Sequence, residues 1–310
     1  MNQQIQHFLT DQLASWEMAR TNYAALSKVQ VKELDVNGVL YKVQFNPARI
    51  ISSSAKVDAK SIQERKCFLC PANLPSVQKS IEFEGHYQIL VNPFPIFPRH
   101  LTIPELAHVD QRIASRIRDM LELAKSLSDF VIFYNGPKCG ASAPDHAHFQ
   151  AGNKGFLPIE KDWRSRIAEK VVSDESVTLW HLNDSPRVTF VIESVSKEKA
   201  LSIFSLIYRS LKIRPGEYEP MMNVLALYED NRWVIFVFPR EKHRPACYVA
   251  EGDSNLLISP ASVDLGGVFI VPLEKDFIKI SAEDIDRILS EVCLNPVDTQ
   301  RVVQLIREQF

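Results

Sequence analysis

The chain reads strands, helix, strands, and then reads the same order a second time. After a helical stretch over the first 30 residues (Ile5, Phe8, Leu9, Leu13 and Trp16 recur at spacings near three and four), the strand text GVLYKVQF fills 38–45. Ser52–Ser54 and the charged stretch to Lys66 read as a loop. YQILVNPFPIFPRHLTIPE follows, two β-rich segments broken by prolines at 93, 95, 98 and 104. Proline lacks the amide proton a ladder needs, so these breaks mark turns, bulges or a sheet edge. Ile113, Ile117, Met120, Leu121, Ala124 and Leu127 give one apolar helical face, and DFVIFYNG and DHAHFQAG close the first round as strands. The second round runs RVTFVIESV, a helix from Ala200 to Leu211, and a hairpin turning at Glu229-Asp230-Asn231. NLLISPASVDLGGVFIVPLE adds strands, and two short helices close the chain from Ser281. Each round holds an F-P-R element, Phe97-Pro98-Arg99-His100 and Phe238-Pro239-Arg240, the second with His243 close behind. The expected architecture is therefore α+β. Two halves, 1–160 and 161–310, each form an antiparallel sheet with helices on one face.

Composition narrows the function. Only 10 of 310 residues are glycine, and neither GxGxxG nor GxxxxGK[ST] can be assembled from them. A Rossmann fingerprint and a P-loop are excluded, so any nucleotide must be held by other means. Lys plus Arg is 36 against 38 Asp plus Glu, a net charge of −2 that argues against bulk nucleic-acid binding. Five cysteines do not make a disulfide framework. No apolar run approaches the roughly 20 residues a membrane span needs. The first residues lack the basic-then-apolar order of a secretory signal. A cytoplasmic protein without membrane or nucleic-acid partners is expected.

The densest chemistry is Asp145-His146-Ala147-His148-Phe149-Gln150. On a strand, residues two apart share a face, which sets His146, His148 and Gln150 together and turns Ala147 and Phe149 to a core. Two imidazoles and an amide on one face are costly to bury without a task. A neutral imidazole nitrogen is a competent nucleophile near pH 7, provided an acceptor fixes the other ring nitrogen. A carbonyl in the loop before Asp145 is the expected acceptor. Phosphoryl transfer further needs donors aimed at the equatorial oxygens, and Gln150, Ser142 and the amides from Gly140 to Ala143 are placed to supply them. Ser142 reads equally well as an ordinary turn serine, and Lys138 as a phosphate ligand or a solvated loop lysine.

The segment N-G-(x)3-G-A-S-A-P-D-H-A-H-F-Q resembles the active-site segment of the histidine-triad superfamily. It is most similar to the branch in which glutamine replaces the third histidine: galactose-1-phosphate uridylyltransferase, diadenosine tetraphosphate phosphorylase and GDP-hexose phosphorylase. The resemblance is specific over about Cys67 to Gly155 and weak from Met221 to Pro272. It implies nucleotidyl transfer through a covalent nucleotidyl-histidine, with His148 as nucleophile and Gln150 on the phosphoryl oxygens. It also places Asn92 and Asn135 near the nucleotide, although both are ordinary turn residues as well.

Cys67-Phe68-Leu69-Cys70 has the bite of a zinc knuckle but supplies only two of four ligands, and a redox pair is the other reading. The resemblance supplies the missing two. It aligns Phe97-Pro98-Arg99-His100 with a metal-ligand element, so that Cys67, Cys70, His100 and His146 would hold a structural zinc. In the second half, Arg240, Lys242, His243 and Arg244 form a stiff basic loop between prolines, fitted to clamp a phosphate or to be a solvated turn. The expected function is transfer of a nucleoside monophosphate from a nucleotide or nucleotide sugar to a phosphate-type acceptor. A nucleotide hydrolase and a non-catalytic zinc-stabilised nucleotide-binding protein are the alternatives, and a homodimer is an allowed assembly.

Overall fold

A computed structural model describes residues 1–50 and 57–310. The expected loop at Ser52–Ser54 lies outside the described residues. The N-terminal helical stretch is two helices, Asn2–Ser15 and Glu17–Ala25. They part at Trp16, whose backbone is extended and whose buried indole reaches the cavity described below. Strands β1 (Gln30–Val36) and β2 (Val39–Phe45) form a hairpin, and β13 (Val268–Val271) joins β2 in parallel to make a three-stranded sheet.

The other ten strands make one sheet. The first half supplies β3 (Ser80–Phe83), β4 (Tyr87–Val91), β5 (His100–Pro104), β6 (Phe130–Asn135) and β7 (His148–Asn153). The second supplies β8 (Ile167–Ser173), β9 (Val177–Leu182), β10 (Phe190–Ser194), β11 (Met222–Glu229) and β12 (Arg232–Pro239). Their order is β3-β4-β5-β7-β6-β11-β12-β10-β9-β8. Read from either edge inward, each half runs first, second, third, fifth, fourth, and its helix, Ile117–Ser126 or Lys197–Ser210, follows the third strand. The two halves thus have one topology, as the repeated grammar implies. They do not keep separate sheets, however. β6 pairs with β11 antiparallel, Asn135 opposite Asn223, so each half covers an edge the other would leave open.

Strand alternation divides the core in two. On β6, Phe130, Ile132 and Tyr134 pack under the helices Ile117–Ser126, Lys197–Ser210 and Pro296–Gln309. Val131 and Phe133 point the other way, against the three-stranded sheet and the helix Ala282–Val292. The second face is where His148 and Gln150 emerge into a cavity, with His100 buried behind Gln150, and Ile270 of the small sheet forms part of the roof. No helix among the described residues is long and apolar enough to cross a membrane.

Candidate active site

A cavity of about 500 Å³ opens where β4, β5, β6 and β7 end beneath the roof. Its lining includes the apolar side chains Trp16, Phe68, Leu74, Leu90 and Phe94. It also includes the polar side chains His148, Gln150, Asn92, Ser142, His243 and Arg244. An apolar slot leading to convergent donors suits a base at one end and phosphates at the other.

His148 opens β7 and is buried. Its Nδ1–H donates to the carbonyl of His146 at 2.7 Å, which leaves the lone pair on Nε2. The tautomer-fixing acceptor therefore follows Asp145 instead of preceding it. Burial pushes the His148 pKa down to about 4, so the ring is neutral at physiological pH. Gln111 holds the His148 backbone: its Oε1 accepts from the His148 amide at 2.7 Å, while its Nε2 donates to the carbonyls of His148 and Asn135, both at 3.0 Å. This glutamine staples β6 to β7 at their site ends, and neither a motif nor a periodicity marked it in the sequence.

Gln150 shares the face of His148, as alternation requires. Its orientation is fixed by His100. The Ile96 amide donates to His100 Nδ1 at 3.0 Å, so the ring's proton is on Nε2 and donates to Gln150 Oε1 at 3.1 Å. Asn92 Nδ2 approaches the same oxygen at 3.4 Å and donates to Thr102 Oγ1 at 2.9 Å. With its oxygen taken, Gln150 turns its amide donors to the cavity. His100 does not join the Cys67–Cys70 group, because both of its ring nitrogens are already used, Nδ1 by the Ile96 amide and Nε2 by Gln150.

The group of side chains that could hold a metal has His108 in its place. One ligand atom from each of Cys67, Cys70, His108 and His146 lies within 4.8 Å of all the others. Sγ to Nδ1 distances of 3.3 Å (Cys67–His146), 3.6 Å (Cys70–His146) and 3.2 Å (Cys70–His108) match the edges of a tetrahedron around zinc, about 3.6 Å. His146 lies in the bend before β7 and turns from the cavity toward the sulfurs. Its Nε2–H donates to the Glu105 carbonyl at 2.7 Å, leaving Nδ1 as the ligand atom. Asp145 backs His108 at 3.8 Å and pairs with Arg65 at 2.5 Å, so it orients a ligand and is no base. Burial raises the Cys67 thiol, but the hydrogen bond and charge of His146, the Leu69 amide and Cys70 together outweigh it and bring the pKa down to about 6. Phe68 and Leu69, between the two thiols, line the cavity, so the knuckle shapes its wall. These residues fit a closed structural metal site.

The remaining sequence candidates divide. Gly140 (φ +91°) and Ser142 line the cavity, and a Cβ at 140 would collide with Ala261 from the second half. Asn135 also lines it, but its Oδ1 is an acceptor for Asn223 Nδ2 at 2.8 Å and for the amide and hydroxyl of Ser262 at 2.8 and 2.7 Å. Arg240 is no phosphate clamp. It is buried, and its guanidinium donates to Asn223 Oδ1 and to the carbonyls of Val292, Pro260, Lys242 and His243. Arg240, Asn223 and Asn135 form a polar chain that ties the second half to the site. Lys138 and Lys242 stand outside the cavity lining, ion-paired with Glu217 and Glu291. His243 and Arg244 do line it. Burial holds His243 down to about 4, and Arg244 Nε donates to Ser259 Oγ at 3.2 Å.

Two family models divide the chain between them: "Domain of unknown function (DUF4922)" over residues 8–153, and "GDPGP1-like, C-terminal domain" over 158–310. Diadenosine 5',5'''-P1,P4-tetraphosphate phosphorylase 2 of Saccharomyces cerevisiae is 28% identical over 136 residues, which are 39% of this chain and 41% of that protein. The chain therefore spans about two fifths of the curated relative it matches. Crystal structures of yeast Ap4A phosphorylase Apa2 share the fold. The AMP complex has a TM-score of 0.55 at 20% identity, covering 90% of this chain and 94% of that one. The Ap4A complex has a TM-score of 0.55 at 18% identity, covering 90% and 97%.

Proposed function

Because the chain belongs to the HxHxQ branch of the histidine-triad superfamily, we propose that it is a nucleotide phosphorylase or nucleotidyltransferase working through a nucleotidyl-His148 intermediate. The observation that carries this reading is a buried, neutral imidazole whose Nδ1 is committed to a carbonyl and whose Nε2 remains for attack, beside an amide with its donors turned to the cavity. Nε2 attacks the α-phosphorus. The bond from phosphorus to the bridging oxygen breaks, and the sugar phosphate or nucleotide leaves with the electron pair. An anionic oxygen of inorganic phosphate or a sugar phosphate then attacks the same phosphorus. The P–N bond breaks, and the lone pair returns to His148.

Gln150 cannot exchange a proton near neutral pH, so the leaving and attacking groups must need little proton help. Phosphates meet that condition and water does not. The site proposed for zinc is Cys67, Cys70, His108 and His146, where the ion would be structural and would hold the Phe68–Leu69 wall. A reducing cytoplasm suits the five cysteines, all of which are free thiols.

The test is a panel of diadenosine tetraphosphate, GDP-hexoses and UDP-hexoses incubated with phosphate titrated from zero. Phosphorolysis yields a nucleoside diphosphate or longer product at a rate that climbs with phosphate and saturates. Intact mass of quenched protein should show a nucleotidyl increment that His148→Ala lacks. Monophosphate alone, at a rate indifferent to phosphate, would make the protein a hydrolase.

A further inference from the structure

Two arginines line the cavity, and their surroundings differ. Arg244 leans its guanidinium on the Tyr248 ring, 4.1 Å from the centroid, and donates to Ser259. Arg49, at the end of the short turn Pro47–Arg49 after β2, reaches in from the roof. Its Nη1 donates to the Phe94 carbonyl at 2.7 Å, while its Nε is buried without a hydrogen-bond partner. Among the described residues no carboxylate stands within ion-pair distance of it. Asp264 lines the same cavity, but its oxygens are turned to the backbone, accepting from the Ala261 and Ile270 amides at 2.8 and 3.0 Å. The other buried or half-buried arginines of the fold are compensated: Arg187 pairs with Asp184, Arg116 with Glu105, and Arg240 spends its donors on carbonyls and an amide.

A half-buried guanidinium whose charged neighbour, Asp264, spends its oxygens on backbone amides is poorly compensated unless a ligand completes it. Burial pulls its pKa down to about 10, and the charge of Asp264 only partly offsets that. Its position is equally specific. The Phe94 carbonyl it holds belongs to the turn whose Asn92 reaches Gln150, and its field helps keep His100 neutral behind that glutamine. Arg49 therefore stands on the Gln150 side of the cavity.

We infer that Arg49 receives the non-bridging oxygens of the phosphoryl group while it is transferred, an inference that rests on the nucleotidyl-transfer reading of the same cavity. The planar fork would meet charge that is greatest as the phosphorus is attacked, so its effect falls on the chemical step. Because the α-phosphoryl is present in both half-reactions, both depend on it.

The probes are the separated diastereomers of ADPαS and GDPαS, which carry sulfur on the α-phosphorus. Attack by His148 Nε2 forms a P–N bond, breaks the bond to the bridging oxygen, and releases inorganic phosphate with the electron pair. Adduct formation is followed by intact mass within a single turnover, for wild type, Arg49→Met and Arg49→Lys, and each melting temperature is measured. A guanidinium on one non-bridging oxygen makes wild type prefer one diastereomer by about tenfold or more. Arg49→Met should slow the favoured one by about 100-fold, the size expected for loss of one charge-directed donor set, and bring the ratio to within about threefold of unity. It should melt at the wild-type temperature or above, since a poorly compensated charge gives way to an apolar chain. Arg49→Lys should fall between the two in rate. An unchanged diastereomer ratio with a lowered melting temperature would reduce Arg49 to a prop for the Phe94 carbonyl and overturn the assignment alone. Failure of wild type to form an adduct with either nucleotide would overturn the transfer reading, and this inference with it.

Discussion

The same two strands are joined in opposite ways in the two halves. In the first, β6 and β7 are linked by residues 136–147, which carry Gly140, Ser142, Asp145 and His146 and deliver His148 to the sheet. In the second, β11 and β12 are linked by Asp230 and Asn231 alone, both with positive φ, in a tight hairpin. One topology can therefore hold a site or a plain turn, and the connection decides which. The second half has no chemistry at that position. It contributes from elsewhere instead: Arg240 and Asn223 anchor Asn135, and Ala261, His243 and Arg244 close the cavity.

The largest expected effect tests whether the long connection is the whole source of chemistry. His148→Ala should lower phosphorolysis by at least about 1000-fold, because it removes the proposed nucleophile beside Gln150. Retention of a tenth of the activity would mean that another residue forms the intermediate. Next comes the knuckle. Cys67→Ser should reduce bound zinc from about one ion per chain and lower the melting temperature by several degrees, since metal binding energy is folding energy where the unfolded chain has no site. Activity should fall with it, because Phe68 and Leu69 form cavity wall. Zinc-free protein of unchanged stability and activity would break that link.

A smaller effect separates positioning from structure. His100→Ala and Gln150→Ala should each lower turnover by about 30-fold, and the double variant should be no slower than the slower single, because His100 acts through the glutamine it orients. Multiplying losses would mean that His100 acts independently.

The acid limb should be milder. His100, His148 and His243 are held down to about 3, 4 and 4, chiefly by burial, against about 6.5 in an unfolded chain. Below pH 6.5 the unfolded chain takes up protons that the folded site refuses, so stability is full above that value and is lost as pH falls toward 4. Each histidine contributes at most about 1.4 kcal/mol per pH unit in this window. Melting curves from pH 7 to 4.5 should fall steeply for wild type and less steeply for His243→Gln. Equal slopes would remove His243 from the account.

Much of this arrangement was legible in the chain, and the failures have physical causes. Alternation along DFVIFYNG and DHAHFQAG assigns the faces of β6 and β7 and brings His148 and Gln150 together. β8 and β9 pass unread. They form the outer end of the sheet, half-exposed and charged at Glu169 and Lys170, and bulges at Ile167/Glu169 and Lys170/Val172 spoil their period. His100 opens β5 and His108 lies beyond its other end, so the strand gives them different surroundings and spacing cannot choose the ligand. Arg240 reads as a surface cation, because the five groups that absorb it come from distant or carbonyl partners that a sequence does not display. Arg49 has no motif at all, and only its burial beside the cavity distinguishes it.

The smallest effect tests the idle side of the comparison. Asp230 and Asn231 have φ of 47° and 58°, the two-residue type I′ geometry in which Asn-Gly is preferred. Glycine takes the second position without the penalty of a Cβ, although it also frees the unfolded chain, so the gain is the difference of two small terms. The double substitution Asp230→Asn, Asn231→Gly should raise the melting temperature by about 1 °C, corresponding to somewhat under 1 kcal/mol in a chain of this size. It should leave phosphorolysis within about twofold of wild type, because the hairpin lies at the opposite end of β11 from Asn223 and the cavity. A matching change in the first half, at Gly140 or Ser142, would not be silent, since both line the cavity. Should the hairpin variant lose more than about threefold in activity while melting higher, the short connection would be coupled to the site through β11 and the Asn223–Asn135 contact, and the division into a working and an idle connection would fail.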